Sequence, residues 1–112
     1  MRWPTYNKYG NRKTVVDGIT FDSQKEASYW QELKIRERAG EVTGIQRQVK
    51  IELIPKTKLY RACYYIADFI FTDKKTGQTV YVDVKGGDFR TKEYLIKRKL
   101  LYWRHGIEIT EV

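Results

Sequence analysis

Apolar and polar positions follow two rhythms along the chain, and the switches between them predict the elements. T-V-V-D-G-I-T-F opens the regular part, and its Asp17-Gly18 pair between β-branched residues predicts a tight N-terminal β-hairpin. The next stretch, F-D-S-Q-K-E-A-S-Y-W-Q-E-L-K-I-R-E-R-A-G, predicts a helix from about Ser23 to Ala39. Ser23 and Glu26 have capping-box spacing there, and Gly40 stands where a left-handed cap would end it. I-Q-R-Q-V-K-I-E-L-I-P then alternates, which sets Ile45, Val49, Ile51 and Leu53 on one face and Gln46, Gln48, Lys50 and Glu52 on the other. Two further strands are expected from about Ala62 to Thr72 and from Gln78 to Lys85. A second helix over T-K-E-Y-L-I-K-R-K-L-L-Y-W-R-H-G puts Ile96, Leu100 and Trp103 on its apolar stripe and ends at Gly106, before a short strand in I-E-I-T-E-V. The order after the hairpin is helix, three strands, helix, strand. The expected fold is therefore α/β in the α+β sense, with helices flanking a central mixed sheet.

Composition narrows what such a fold can do. At 112 residues the chain holds one domain, spanning 1–112, with no room for a second core. No apolar run approaches the roughly 18 residues of a membrane span, and Met1-Arg2-Trp3 does not open a signal peptide, so a soluble, cytoplasmic protein is expected. One cysteine, Cys63, and one histidine exclude an internal disulfide and a His/Cys zinc cluster. The formal charge of +8 suggests a polyanionic partner such as DNA or RNA, although a solvated basic surface would give the same number. Residues 1–13 mix cations with aromatics and read as an arm, in which Lys8, Arg12 and Lys13 could follow phosphates while Tyr6 or Tyr9 stacks; a frayed terminus is the plain alternative. Lys92, Lys97, Arg98, Lys99 and Arg104 make the second helix another cationic surface, and His105 suits its C-terminal dipole.

The chemistry concentrates where acids interrupt apolar strands. If Asp73 and Gln78 close the turn, with Gly77 at positive φ, counting back along both strands sets Asp68 opposite Asp83, and Lys85 joins them on that face. Facing carboxylates repel by roughly 0.2–1 kcal/mol when exposed and by more when desolvated, so something must compensate. A divalent cation does so, since Mg²⁺ takes oxygen ligands from one or two carboxylates and fills the rest with water and phosphate. Lys85 screening two solvent-facing acids is the structural alternative. Gly86-Gly87 either lets a bulky ligand approach or simply turns the chain. Glu26 either completes the capping box or, through the stripe it shares with Trp30 and Leu33, faces the sheet.

Glu26 on the first helix, Y-I-A-D-F with Asp68 and D-V-K with Asp83, Val84 and Lys85, in that element order, resemble the PD-(D/E)XK nuclease superfamily. The phrases K-Y-G-N-R-K, V-D-G-I-T-F-D-S-Q-K-E-A and D-V-K-G resemble small phage and prophage nucleases and the archaeal-type Holliday junction resolvases, over roughly Tyr6 to Val112. Two departures stand out: Ala67 where the superfamily has proline, and Asp83 where glutamate is common. The resemblance implies a restriction-endonuclease-like core and a Mg²⁺-dependent endonuclease, with Mn²⁺ able to substitute. It implies metal ligation by Asp68, Asp83 and the Val84 carbonyl, with Glu26 acting through water or a second metal, and Lys85 serving the attacking water or the transition state. Hydrolysis would leave a 5′-phosphate and a 3′-hydroxyl. Gln48, Gly86, Gly87, Lys92, Lys97 and Lys99 become candidate DNA contacts with Lys8, Arg12 and Lys13. The implied partners are branched DNA, such as a four-way junction, and a second copy of the chain. A different phage recombination or nicking nuclease and a catalytically silent nucleic-acid-binding module are the competing readings.

Overall fold

The structure is a computed structural model that describes residues 13–112, so Tyr6, Lys8, Tyr9 and Arg12 of the expected arm lie outside the described residues. Strands β1 (Thr14–Val16) and β2 (Ile19–Phe21) form the expected hairpin, turning at Asp17 and Gly18 with φ of 54° and 73°. Both residues adopt left-handed backbone, as a two-residue turn matched to strand twist requires. Helix α1 (Gln24–Arg38) starts at Ser23, whose Oγ accepts from the Glu26 N–H at 3.1 Å, and is followed by Gly40 at φ 78°. Trp30 ties α1 to the hairpin by donating from Nε1 to Asp17 Oδ2 at 3.0 Å.

The main sheet has the order β3 (Val42–Ile54), β4 (Cys63–Asp73), β5 (Thr79–Asp83), β6 (Ile109–Glu111). Its first two pairings are antiparallel and the last is parallel, so the sheet is mixed. Helix α2 (Lys92–His105) connects β5 to β6, with Thr91 capping its start and Gly106 at φ 67° ending it. The layout is thus α+β: an N-terminal hairpin, then αβββαβ around one mixed sheet. No helix of the described residues is long and apolar enough to cross a membrane.

Two cores cover the sheet. One gathers Phe21, Ala27, Leu33, Val42, Phe69, Phe71 and Val82 beneath α1 and the hairpin; the other gathers Leu53, Tyr65, Ala67, Ile70 and Leu101 beneath α2. Along β5, Val80 and Val82 join the first and Tyr81 the second, so the two cores lie on opposite faces. Strands β3 and β4 do not keep that alternation. Ile45 packs with the α1 core but Val49 and Ile51 pack with the α2 core, while Phe69 and Phe71 belong to the first and Tyr65 and Ala67 to the second. The expectation that Ile45 shares a face with Val49, Ile51 and Leu53 is therefore corrected. Gln48 causes the change: its φ of 50° reverses the pleat in mid-strand. Pairing of Arg47 with Phe69 and of Val49 with Ala67 brackets Gln48 against Asp68, so both strands change face at one level.

The stripe expected on α2 is also corrected. Leu101 is fully buried and Tyr94 and Leu100 pack beside it, whereas Ile96 and Trp103 are exposed. Nearly every side of this helix carries an apolar residue, so periodicity alone does not choose the buried side.

Candidate active site

The β4–β5 turn closes as the residue types suggest. The Asp73 N–H donates to the Gln78 carbonyl at 2.9 Å, the Gly77 N–H donates to the Asp73 carbonyl at 2.7 Å, and Gly77 has φ 74°. From Thr72↔Thr79 the ladder runs to Phe69↔Val82, and Asp68 and Asp83, next along their strands, interact through their carboxyls. There the ladder opens. The Asp68 carboxylate takes the next donor itself, Oδ2 accepting from the Val84 N–H at 2.8 Å. Asp83 is buried, and its Oδ2 accepts from the Tyr65 hydroxyl at 2.5 Å while Lys85 Nζ stands 3.3 Å away.

Gln48 links this pair to the first helix. Its Nε2 donates to Glu26 Oε1 at 3.0 Å and to Asp68 Oδ1 at 3.3 Å. Glu26 is buried, and its carboxylate is engaged by Gln48 while its own N–H takes the Ser23 cap, so this acid faces the sheet. Two of the residues singled out in the sequence, Asp68 and Asp83, meet directly, Lys85 joins Asp83, and Glu26 joins through an amide. Among the described residues no three acidic, cysteine or histidine side chains gather closely enough to cage a metal.

The electrostatics follow from this crowding. Burial pushes the Asp68 carboxyl up to about 7, helped by a hydrogen bond with Asp83 and by the charges of Asp83 and Glu26, while the Val84 N–H opposes the shift. Glu26 is raised too, first by burial and then by Asp22, with Arg47 and Gln48 acting against it. Tyr65 is held far above the usual phenol range by burial and by donating to Asp83, so it remains a donor. The site thus holds more negative charge than its protein surroundings compensate. Its donors are carboxylate oxygens, which suit a hard cation such as Mg²⁺ that completes its shell with water or phosphate.

Several contributors were not evident from the sequence. Tyr65 reaches Asp83 because the change of face at Asp68 puts it on the α2 side; strict alternation along β4 would separate the two. The Lys85 ammonium lies 3.5 Å from the ring centroid of Tyr94, whose hydroxyl donates to Glu111 Oε2 at 2.6 Å. Glu111 also accepts from Arg90 at 2.8 Å, and it pulls the turn after Lys85 toward β6. Arg47 lies over the Phe21 ring at 4.5 Å, and its buried Nε has no hydrogen-bond partner.

Gly86 and Gly87 are exposed and border a cleft of about 400 Å³ with Lys25, Lys85 and Arg90. Lys25 Nζ donates to the Lys85 carbonyl, and Phe89 stands exposed on the same turn. The cationic helix is less free than its composition suggests. Lys97 pairs with Glu93 at 3.0 Å, Arg98 with Glu111 at 3.4 Å and Arg104 with Glu52 at 2.9 Å, which leaves Lys92 and Lys99 facing solvent. His105 Nε2 is 2.6 Å from the Glu52 carbonyl, and Lys13 is exposed at the start of the hairpin.

A mixed-sheet α+β domain with two neighbouring acids, Asp83 buried and Asp68 half-buried, and an adjoining ammonium group is the class these observations define. Residues 6–110 match the DUF1064 family model, described as a protein of unknown function, and the chain belongs to that family. No curated protein and no solved structure matches it.

Proposed function

We propose that the chain is a Mg²⁺-dependent endonuclease that hydrolyses phosphodiester bonds in structured DNA, in the manner of the PD-(D/E)XK superfamily. The observation that carries this reading is the meeting of Asp68 and Asp83 where β4 and β5 part, with Lys85 Nζ 3.3 Å from Asp83. Asp68 and Asp83 would hold the ion together with the Val84 carbonyl, and Glu26 would act through water. Bound there, Mg²⁺ or Mn²⁺ would polarise the scissile phosphate and acidify a coordinated water.

The chain's own groups have distinct tasks in this scheme. Tyr65 fixes one oxygen of Asp83, and the Val84 N–H fixes one of Asp68. The Gln48 amide spaces Glu26 from Asp68. Lys85, held on the Tyr94 ring, would meet the attacking water or the charge developing on phosphate. The single domain would recognise DNA shape through its phosphates, and one site cuts one strand, so paired incision of a four-way junction calls for a homodimer.

Incubating the full chain with labelled four-way junction and linear duplex, with and without Mg²⁺, tests this. Metal-dependent cutting that Asp83→Ala abolishes while binding persists is the expected result. Equal cutting of both DNAs would remove the junction preference. The lack of a three-acid cluster among the described residues favours a second reading, a nucleic-acid-binding module without chemistry. Binding by the wild type with no cutting in Mg²⁺ or Mn²⁺ would establish that reading instead.

A further inference from the structure

Beyond the candidate site, β3 and β4 continue as a two-stranded arm. Strand β5 pairs with β4 only from Phe69 to Thr72, so Cys63–Ala67 of β4 pair with β3 alone. One face of this arm is packed under α2 through Val49, Ile51, Leu53 and Tyr65. On the other face Glu52, opposite Tyr64, is tied to Arg104 at 2.9 Å, and Lys50, Tyr64 and Ile66 form the open part, where Lys50 pairs across to Ile66 and its Nζ lies 5.0 Å from the Tyr64 ring centroid. All three are exposed.

The arm ends in an ordered tip. The Thr57 N–H donates to the Tyr60 carbonyl at 2.9 Å, and the Tyr60 N–H donates to Thr57 Oγ1 at 2.9 Å. This turn holds Leu59 and Tyr60 out in solvent, 81% and 74% exposed. Lys56, Lys58 and Arg61 flank them, and no acid occurs between Glu52 and Asp68. An apolar and aromatic tip ringed by cations, continuous with a face that begins at Gln48 and Asp68, is complementary to a polyanion that also offers flat apolar surfaces. Nucleic acid with unpaired bases meets both requirements: its phosphates suit the cations and its bases suit the rings.

We propose that the open face and tip of the β3–β4 arm bind unpaired nucleotides, with Tyr64 and Tyr60 stacking on bases and Leu59 wedging where a duplex parts. This rests on the nuclease reading only for the choice of DNA and for the direction of the strand, which would run from Asp68 toward the tip. The arm would then supply selectivity for forked or branched DNA that the acid pair itself does not provide.

Fluorescence anisotropy in EDTA, with no cleavage possible by the proposed route, compares a blunt duplex with a forked duplex carrying unpaired arms. The double variant Leu59→Ala/Tyr60→Ala should bind forked DNA about tenfold more weakly, from the loss of about one stacked base, and blunt duplex within about twofold of wild type. Should that variant lose its thermal transition, Leu59→Ala alone makes the same comparison. Equal losses on both DNAs, or none, overturn the proposal. Unchanged DNA affinity with a shift from dimer to monomer in sedimentation would make the tip a contact between copies, and also overturns it. Arm-dependent binding by a wild type that never cuts would remove the nuclease reading and leave this one; cutting with arm-independent binding would do the reverse.

Discussion

Gln48 holds a left-handed φ of 50° within a strand, where a residue with a Cβ is disfavoured by about 1–2 kcal/mol, and the distortion delivers its amide to Glu26 and Asp68 together. Strain of this kind persists where surrounding contacts over-determine it, and it clusters at functional sites. Its neighbour Asp68 carries the corresponding electrostatic cost. Its carboxyl titrates near 3.8 ordinarily and at about 7 in the fold, chiefly because burial disfavours the charge. Between those values the folded chain binds more protons than the unfolded one, so this residue's contribution to stability falls as pH rises from about 4 to 7. Asp68→Asn keeps an acceptor for the Val84 N–H and removes the titration. In EDTA, the melting temperature of this variant relative to wild type should climb across that window and stay higher above it. Millimolar Mg²⁺ at pH 8 should raise the wild-type value and leave Asp68→Asn almost unmoved. A difference between the two proteins that does not change with pH would show that Asp68 is not held against its charge.

At the scale of elements, what the sequence revealed depended on how local the cause was. Ser23, Gly40 and Gly106 mark helix ends because caps are decided within a few residues, and Asp17-Gly18 and Gly77 mark turns for the same reason. The register bringing Asp68 to Asp83 was legible because a short turn fixes it by counting. Two features were not legible. The reversal at Gln48 depends on a partner strand and on Glu26, both distant in sequence, and it hid Tyr65. The buried side of α2 was obscured by apolar residues around the helix; Leu101 is buried because Leu53, Tyr65 and Ile70 leave a matching site for it. Leu101→Ala should therefore cost about 2–5 kcal/mol in urea unfolding, as a cavity in a packed core does. Trp103→Ala, on the exposed side, should change stability by less than about 0.5 kcal/mol. The reverse ranking would mean that α2 seats on the sheet by the Ile96–Trp103 side.

For the whole molecule, a formal charge of +8 surrounds a site that is locally negative. Several cations of α2 are committed to Glu93, Glu111 and Glu52, so the proposed attraction for DNA would rest on those left free, including Lys92, Lys99, Lys56, Lys58 and Arg61. A phosphate drawn in by them and brought to Lys85 would meet Asp68 and Asp83 at close range. Two unit charges 4 Å apart interact by about 4 kcal/mol at an effective dielectric near 20, so without a cation this repulsion weakens binding appreciably. Removing one carboxylate relieves it and frees Lys85 from its 3.3 Å pairing with Asp83. In EDTA, Asp83→Ala should therefore bind DNA several-fold more tightly than wild type, while both lose affinity along parallel lines in log salt because the phosphate contacts are shared. With Ca²⁺, another oxygen-seeking cation, the order should invert: wild type gains a bridging ion and the variant gains little. Anisotropy titrations in the two buffers measure this directly. An Asp83→Ala protein that binds no better in EDTA would indicate that DNA does not reach the acid pair at all, and that the basic surface leads the strand elsewhere.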